Sequence, residues 1–212
     1  MDKGRKLLDY VQRLDSSLSV GGFKHTLELE SQMTEGNIQN CDDLESFMRG
    51  QLPKQLLRRD GWAIKEIYAA ADGKDSQRIA LIDRAVQGTR STDQETNNAQ
   101  RSGKRLFKLA RALYPWMDFD ELEHSLYDHD AVGCLTTIHA WINNRLQINC
   151  DQAVQGYMYS AVSSYVSRAS TLIQLPRKEA DLLTQTFIEE LEQEWHSIKK
   201  NSPEVLQHSP TS

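Results

Sequence analysis

The chain has 212 residues, 39% of them hydrophobic and 26% charged, with 30 Asp and Glu against 25 Lys and Arg and a net charge of −5. That length supports one substantial core, and the acid excess leaves no basic surplus for a nucleic-acid groove. A mean hydropathy of −0.61 accompanies the absence of any uncharged apolar run able to span a bilayer.

From the N-terminus, Met1 to Lys6 is basic, but an amphipathic pattern containing Asp9 follows where a secretory signal would carry its apolar stretch, so a cytoplasmic protein is expected. Cys41, Cys134 and Cys150 are odd in number and widely spaced, which argues against a disulfide framework and fits a reducing compartment. Leu7, Leu8, Val11 and Leu14 make the first apolar face. Gly21 and Gly22 then stand side by side between two amphipathic segments. Lacking Cβ atoms, they predict a sharp reversal that turns Leu18, Val20 and Phe23 inward, with Lys24, His25, Glu28 and Glu30 opening the next helix.

Leu44, Phe47, Met48 and Leu52 form the next face, with acid at Asp42 and Asp43 in its first turn, and Pro53 is expected to end or kink that helix. The cluster Lys54 to Arg59 is a candidate protein-docking site. Trp62, Ile64, Ile67, Tyr68 and Ala71 continue the helical rhythm to a stop at Gly73, and Ile79, Ile82 and Val86 make a short helix ending at Gly88. Ser91 to Glu95 carries capping chemistry. Beyond it Ala99, Ser102, Gly103, Leu106, Leu109, Ala110 and Leu113 line one face until Pro115, with Arg101, Lys104, Arg105, Lys108 and Arg111 beside them. Glycine inside a helix costs about 1 kcal/mol relative to alanine, so Gly103 is expected to permit close approach of another helix.

Further along come Leu122 to Tyr127, a segment from Val132 to Leu146, the long stretch Asp151 to Leu175, and a last face at Leu182, Leu183, Phe187, Leu191 and Trp195. The small residues Gly156, Ser160, Ser163, Ser164 and Ser167 let neighbours pack closely, so 151–175 is expected to be the central helix. His139, on an apolar face, is expected to be a core histidine with one hydrogen-bond partner. No run has the period and composition of a strand. The sum is an all-α, single-domain bundle of roughly eight to ten helices, taking residues 1–200, with 201–212 as a polar, proline-bearing flexible tail.

Reactive chemistry is sparse. The sequence has no G-x-x-x-x-G-K-[ST] phosphate loop, G-x-S-x-G elbow, H-E-x-x-H or C-x-x-C. His124, Asp128, His129 and Asp130 could offer metal ligands, but a solvated helix end, with Asp128 and Asp130 starting the next helix, explains the same residues. No catalytic residue, cofactor or resident metal is assigned.

The stretch Asp15-Ser16-Ser17-Leu18-Ser19-Val20-Gly21-Gly22-Phe23-Lys24-His25-Thr26-Leu27-Glu28-Leu29-Glu30 resembles the D-S-x-L-P-x-G-G-F-x-H-S-x-x-L-E signature of the urease accessory protein UreF family, with Ser19 replacing the proline and Thr26 the serine. Glu95, Ala99, Arg101, Gly103, Arg105 and Leu106 resemble that family's second signature, with Asn97 where it often has arginine and Ser102 where it has methionine. In a third region, where the family shows a run like I-P-L-G-Q, Ile173 and Leu175 agree. The resemblance implies an all-α, non-catalytic scaffold, usually a homodimer, which binds the accessory protein UreD (also called UreH). With it the scaffold recruits and regulates the GTPase UreG, which delivers nickel to the urease apoprotein. Gly21, Gly22, Phe23, Lys24, His25, Glu30, Arg101, Gly103 and Arg105 are the candidate partner-binding residues. The alternative is an all-helical nucleic-acid-binding or regulatory module using the basic helix 101–111, which the net charge opposes.

Overall fold

In a computed structural model, residues 29–90 and 93–201 are described. They form, in order, α1 (Leu29–Thr34), α2 (Cys41–Leu52), a π-helical segment (Pro53–Gly61), α3 (Trp62–Asp72), α4 (Ser76–Gly88), α5 (Asp93–Leu113), α6 (Asp120–Asp128), α7 (Leu135–Arg145), α8 (Cys150–Ile173) and α9 (Arg177–Asn201). No strand occurs among the described residues, so the all-α expectation holds. Pro53 ends α2 as expected, yet the rod does not break there. The chain passes directly into wider π turns, which place Leu56 and Leu57 in the core.

Several helix starts are capped by a polar side chain. The Asn40, Asp75 and Asn149 side chains accept hydrogen bonds from the backbone N–H groups of Asp43, Arg78 and Gln152, at 3.0, 2.9 and 2.8 Å. Five of the helix ends use one device. After α1, α3, α6, α7 and α8 a residue adopts positive φ: Gly36, Lys74, Asp130, Gln147 and Gln174. In each case the next N–H bonds back to a carbonyl five residues earlier, as Leu175 does to Ser170 at 3.0 Å. Gly73, the expected stop, is therefore followed by the left-handed residue, Lys74, rather than adopting that conformation itself. Asp130 likewise closes α6 and does not begin the next helix.

The central helix is α7, not the expected 151–175. Every residue from Leu135 to Asn143 is buried, and α7 packs on α3, α4, α5 and α8. Most of its buried polar groups find partners inside the core, the Asn143 Oδ1 having none among the described residues. The Thr136 hydroxyl donates to buried Asp60 at 3.0 Å and also lies 3.0 Å from the Tyr157 hydroxyl. The Asn143 amide donates to the His139 carbonyl at 2.8 Å. By contrast α8 leaves Tyr159, Ser167, Thr171 and Leu172 exposed along one side. Ile138, Trp141 and Ile142 of α7 join Phe119 and Leu122 in the core, with Phe187, Leu191 and Trp195 of α9 completing it.

Candidate functional site

α5 is two-faced. Ala99, Ser102, Gly103, Leu106 and Ala110 are buried, while Arg101, Lys104, Arg105 and Lys108 are exposed; these spacings put each set on its own side of the helix. The four cations form no ion pair with the described residues. One turn on, Arg111 is already neutralised by Asp120 at 2.6 Å and Glu123 at 3.1 Å. The open positive stripe therefore runs from Arg101 to Lys108.

Gly103 fixes the buried face. A Cβ there would sit 2.0 Å from the Gly133 carbonyl oxygen, 2.8 Å from the Cys134 carbonyl carbon and 3.0 Å from the Leu135 nitrogen. The backbone entering α7 thus lies directly against α5, the close approach that the sequence calls for. Arg101 and Arg105 are displayed outward while Gly103, between them, is a packing residue.

The backbone that touches Gly103 is held from its other side by Asp83 of α4, a fully buried carboxylate. It accepts the N–H groups of Val132 and Gly133 at 3.1 Å each and that of Cys134 at 2.8 Å. The Thr137 hydroxyl and the Gln87 amide add bonds of 2.6 Å each. These N–H groups lie on the loop leading into α7, with Cys134 at its N-cap, and a carboxylate beside a helix N-terminus also interacts favourably with the helix dipole. Gly133 turns the chain there with φ +69°, and a Cβ on it would meet Leu126 at 3.0 Å and Ile138 at 3.1 Å. Nothing in the local sequence announces this cap, because Asp83 acts about fifty residues away.

His139 is a core residue, as expected. Its Nε2 lies 2.9 Å from the Ala153 carbonyl, so that nitrogen carries the proton, and its ring meets Tyr157 edge-on at 5.2 Å. Burial lowers its pKa to about 4, against the partial support of the Ala153 carbonyl. Burial pushes the Cys134 thiol up to about 12 and Cys150 up to about 11, so neither is a ready nucleophile. His124 and His129 each contact a carbonyl of their own helix, Asp120 at 2.7 Å and Ser125 at 2.9 Å. Among the described residues no three His, Cys, Asp or Glu side chains group to hold a metal ion.

On the opposite side α8 and α9 flank an open groove of about 1330 Å³, lined among others by Tyr159, Ser163, Ser164, Arg168, Thr184 and Ile188. The hydroxyls of Ser163 and Ser164 are buried without a hydrogen-bond partner among the described residues. Leu172 and Leu182, exposed by 41% and 65%, lie on the same two helices. Gly21, Gly22, Phe23, Lys24 and His25 lie outside the described residues, and Glu30 is placed in α1 by its backbone alone.

The described residues form an all-helical bundle with a packed junction at Gly103 and an outward basic stripe on α5. The family model for UreF matches residues 38–184, and the chain belongs to the UreF family. It is similar to the urease accessory protein UreF of Lachnoclostridium phytofermentans, 23% identical over 193 residues that cover 91% of this chain and 85% of the relative. The UreF of Bacillus sp. is 25% identical over 77% of this chain and 72% of its own length. That of Kocuria rhizophila is 24% identical over 77% and 68%. The α5 junction falls inside the family match, and the glycine pair at 21–22 precedes it.

Proposed function

We propose that this chain is a non-catalytic scaffold in urease maturation. It binds a UreD/UreH-like accessory protein and with it recruits and regulates a UreG-like GTPase, which inserts nickel into the urease apoprotein in the cytoplasm. Membership of the UreF family carries the reading. Two features support it: the sequence has no phosphate-cradling loop of its own, and α5 offers Arg101 and Arg105 outward on a helix that Gly103 locks in place. The Gly21–Gly22 corner with Phe23, Lys24, His25 and Glu30 is the second proposed contact surface. Self-association as a homodimer has a candidate surface on α8 and α9, where Tyr159, Leu172 and Leu182 stay exposed.

The test is affinity purification of the full chain from cells carrying a urease gene cluster. UreD-like and UreG-like proteins are expected to co-purify, and substitution of Lys24 and His25 by alanine is expected to weaken that association without loss of helix. Recovery of the chain free of both proteins would overturn the reading.

A further inference from the structure

From Leu52 to Asp72 the chain is one continuous helical rod, the π segment leading straight into α3. Between residues 53 and 71 the exposed positions are Lys54, Arg58, Trp62, Lys65 and Ala69. Their spacing of roughly one helical turn puts them on a single solvent-facing ridge. Trp62 is 38% exposed, and Lys54, Arg58 and Lys65 form no ion pair with the described residues. Their neighbours off the ridge are engaged: Arg59 with Asp60 at 3.1 Å, and Glu66 with Arg78 at 2.6 Å.

The ridge also rests on a fixed base. A Cβ at Gly61 would lie 3.0 Å from the Trp195 ring, so the segment sits flush on α9. Asp60 beside it takes the hydroxyl of Thr136 from the central helix. A rigid display loses little entropy when a partner docks, and Trp with Arg are the residue types that dominate binding energy at interfaces.

We propose that Lys54, Arg58, Trp62 and Lys65 form a docking surface for an acidic helical segment of a protein partner. Carboxylates one turn apart would meet the three cations, and an apolar side chain between them would cover the indole. Charge complementarity selects this occupant. Three cations neutralise too few phosphates to hold a duplex on a chain of net charge −5, and one half-covered indole offers little to insert into a bilayer. This surface is separate from the α5 stripe and needs none of the urease roles.

The test is fluorescence anisotropy of the full chain with a labelled synthetic helical peptide that carries Glu at the spacing of Lys54, Arg58 and Lys65 and Leu opposite Trp62. Binding should weaken on adding salt, by at least about tenfold in a K54E/R58E/K65E variant and by about fivefold in Trp62→Ala. Arg84→Glu, an exposed change on α4, should leave it unchanged. Circular dichroism confirms folding, and if the triple variant fails to fold, Lys54→Glu alone should weaken binding about threefold. The proposal is overturned if the peptide does not bind, if these variants bind it as the parent does, or if duplex DNA or phosphatidylserine vesicles bind more tightly through the same residues.

Discussion

The junction of α4, α5 and α7 and the groove between α8 and α9 show two ways of bringing helices together. At the junction every group is specified: Asp83 accepts five hydrogen bonds, and Gly103 leaves no room for a methyl group. In the groove small side chains leave space, and hydroxyls sit without partners. A bundle built from both has one region that dictates geometry and another that tolerates change and has surface to spare. The difference should appear directly in stability.

The largest expected effect is at Asp83. Asp83→Ala strands the buried N–H groups of Gly133 and Cys134 and the buried Thr137 hydroxyl, along with the half-buried Val132 N–H, and with roughly 1–3 kcal/mol for each buried group the chain should lose at least about 3 kcal/mol in denaturant unfolding. Gly103→Ala gains about 1 kcal/mol of helix propensity but overlaps the Gly133 carbonyl, so a net loss of about 3 kcal/mol is expected from the same measurement. A neutral result at either position would break the contrast.

His139 adds a dependence on pH. Its folded pKa, near 4, is depressed below that of the unfolded chain, so between about 6.5 and 4 the unfolded state binds more protons and stability falls as the pH drops. The contribution is complete above about pH 6.5 and reaches a loss of at most about 3 kcal/mol by pH 4. Melting curves of the parent and of His139→Gln should converge across that window, and parallel curves would refute the assignment.

Smaller effects sharpen the groove side. Gln174 is left-handed at φ 55°, and Gln174→Gly should raise stability by about 0.5–1 kcal/mol. Ser163→Ala and Ser164→Ala should each lie within about 0.5 kcal/mol of the parent, since neither hydroxyl makes a hydrogen bond. A loss above about 1.5 kcal/mol at either serine would mean that the groove is as tightly specified as the junction.

Much of this architecture is legible in the sequence because it is local. Apolar spacing located α2 to α9, and the improbable Gly103 announced a close contact. What was not legible acts at a distance or against type. Thr136 and Thr137 are polar in type, and only the fold supplies the Asp60 and Asp83 carboxylates that let α7 bury them. The serine-rich 151–175 segment looks central, yet one of its sides faces the groove. Helix ends at Lys74, Asp130, Gln147 and Gln174 were obscure because glycine, the usual signal, is absent from all four.

At the candidate site the sequence showed a cluster of cations with a glycine among them. The structure separates the two roles: Gly103 inward for packing, and Arg101 with Lys104, Arg105 and Lys108 outward, with no ion pair among the described residues. The urease activity of cells in which this chain is replaced by an R101E/K104E/R105E variant, normalised to the soluble amount of the variant, tests that division most directly. The account predicts an unchanged soluble level, because surface changes cost within about 0.5 kcal/mol each, and a fall in urease activity of at least about tenfold, since reversed charges repel a partner that the stripe attracts. Full urease activity at normal levels of the variant would contradict it.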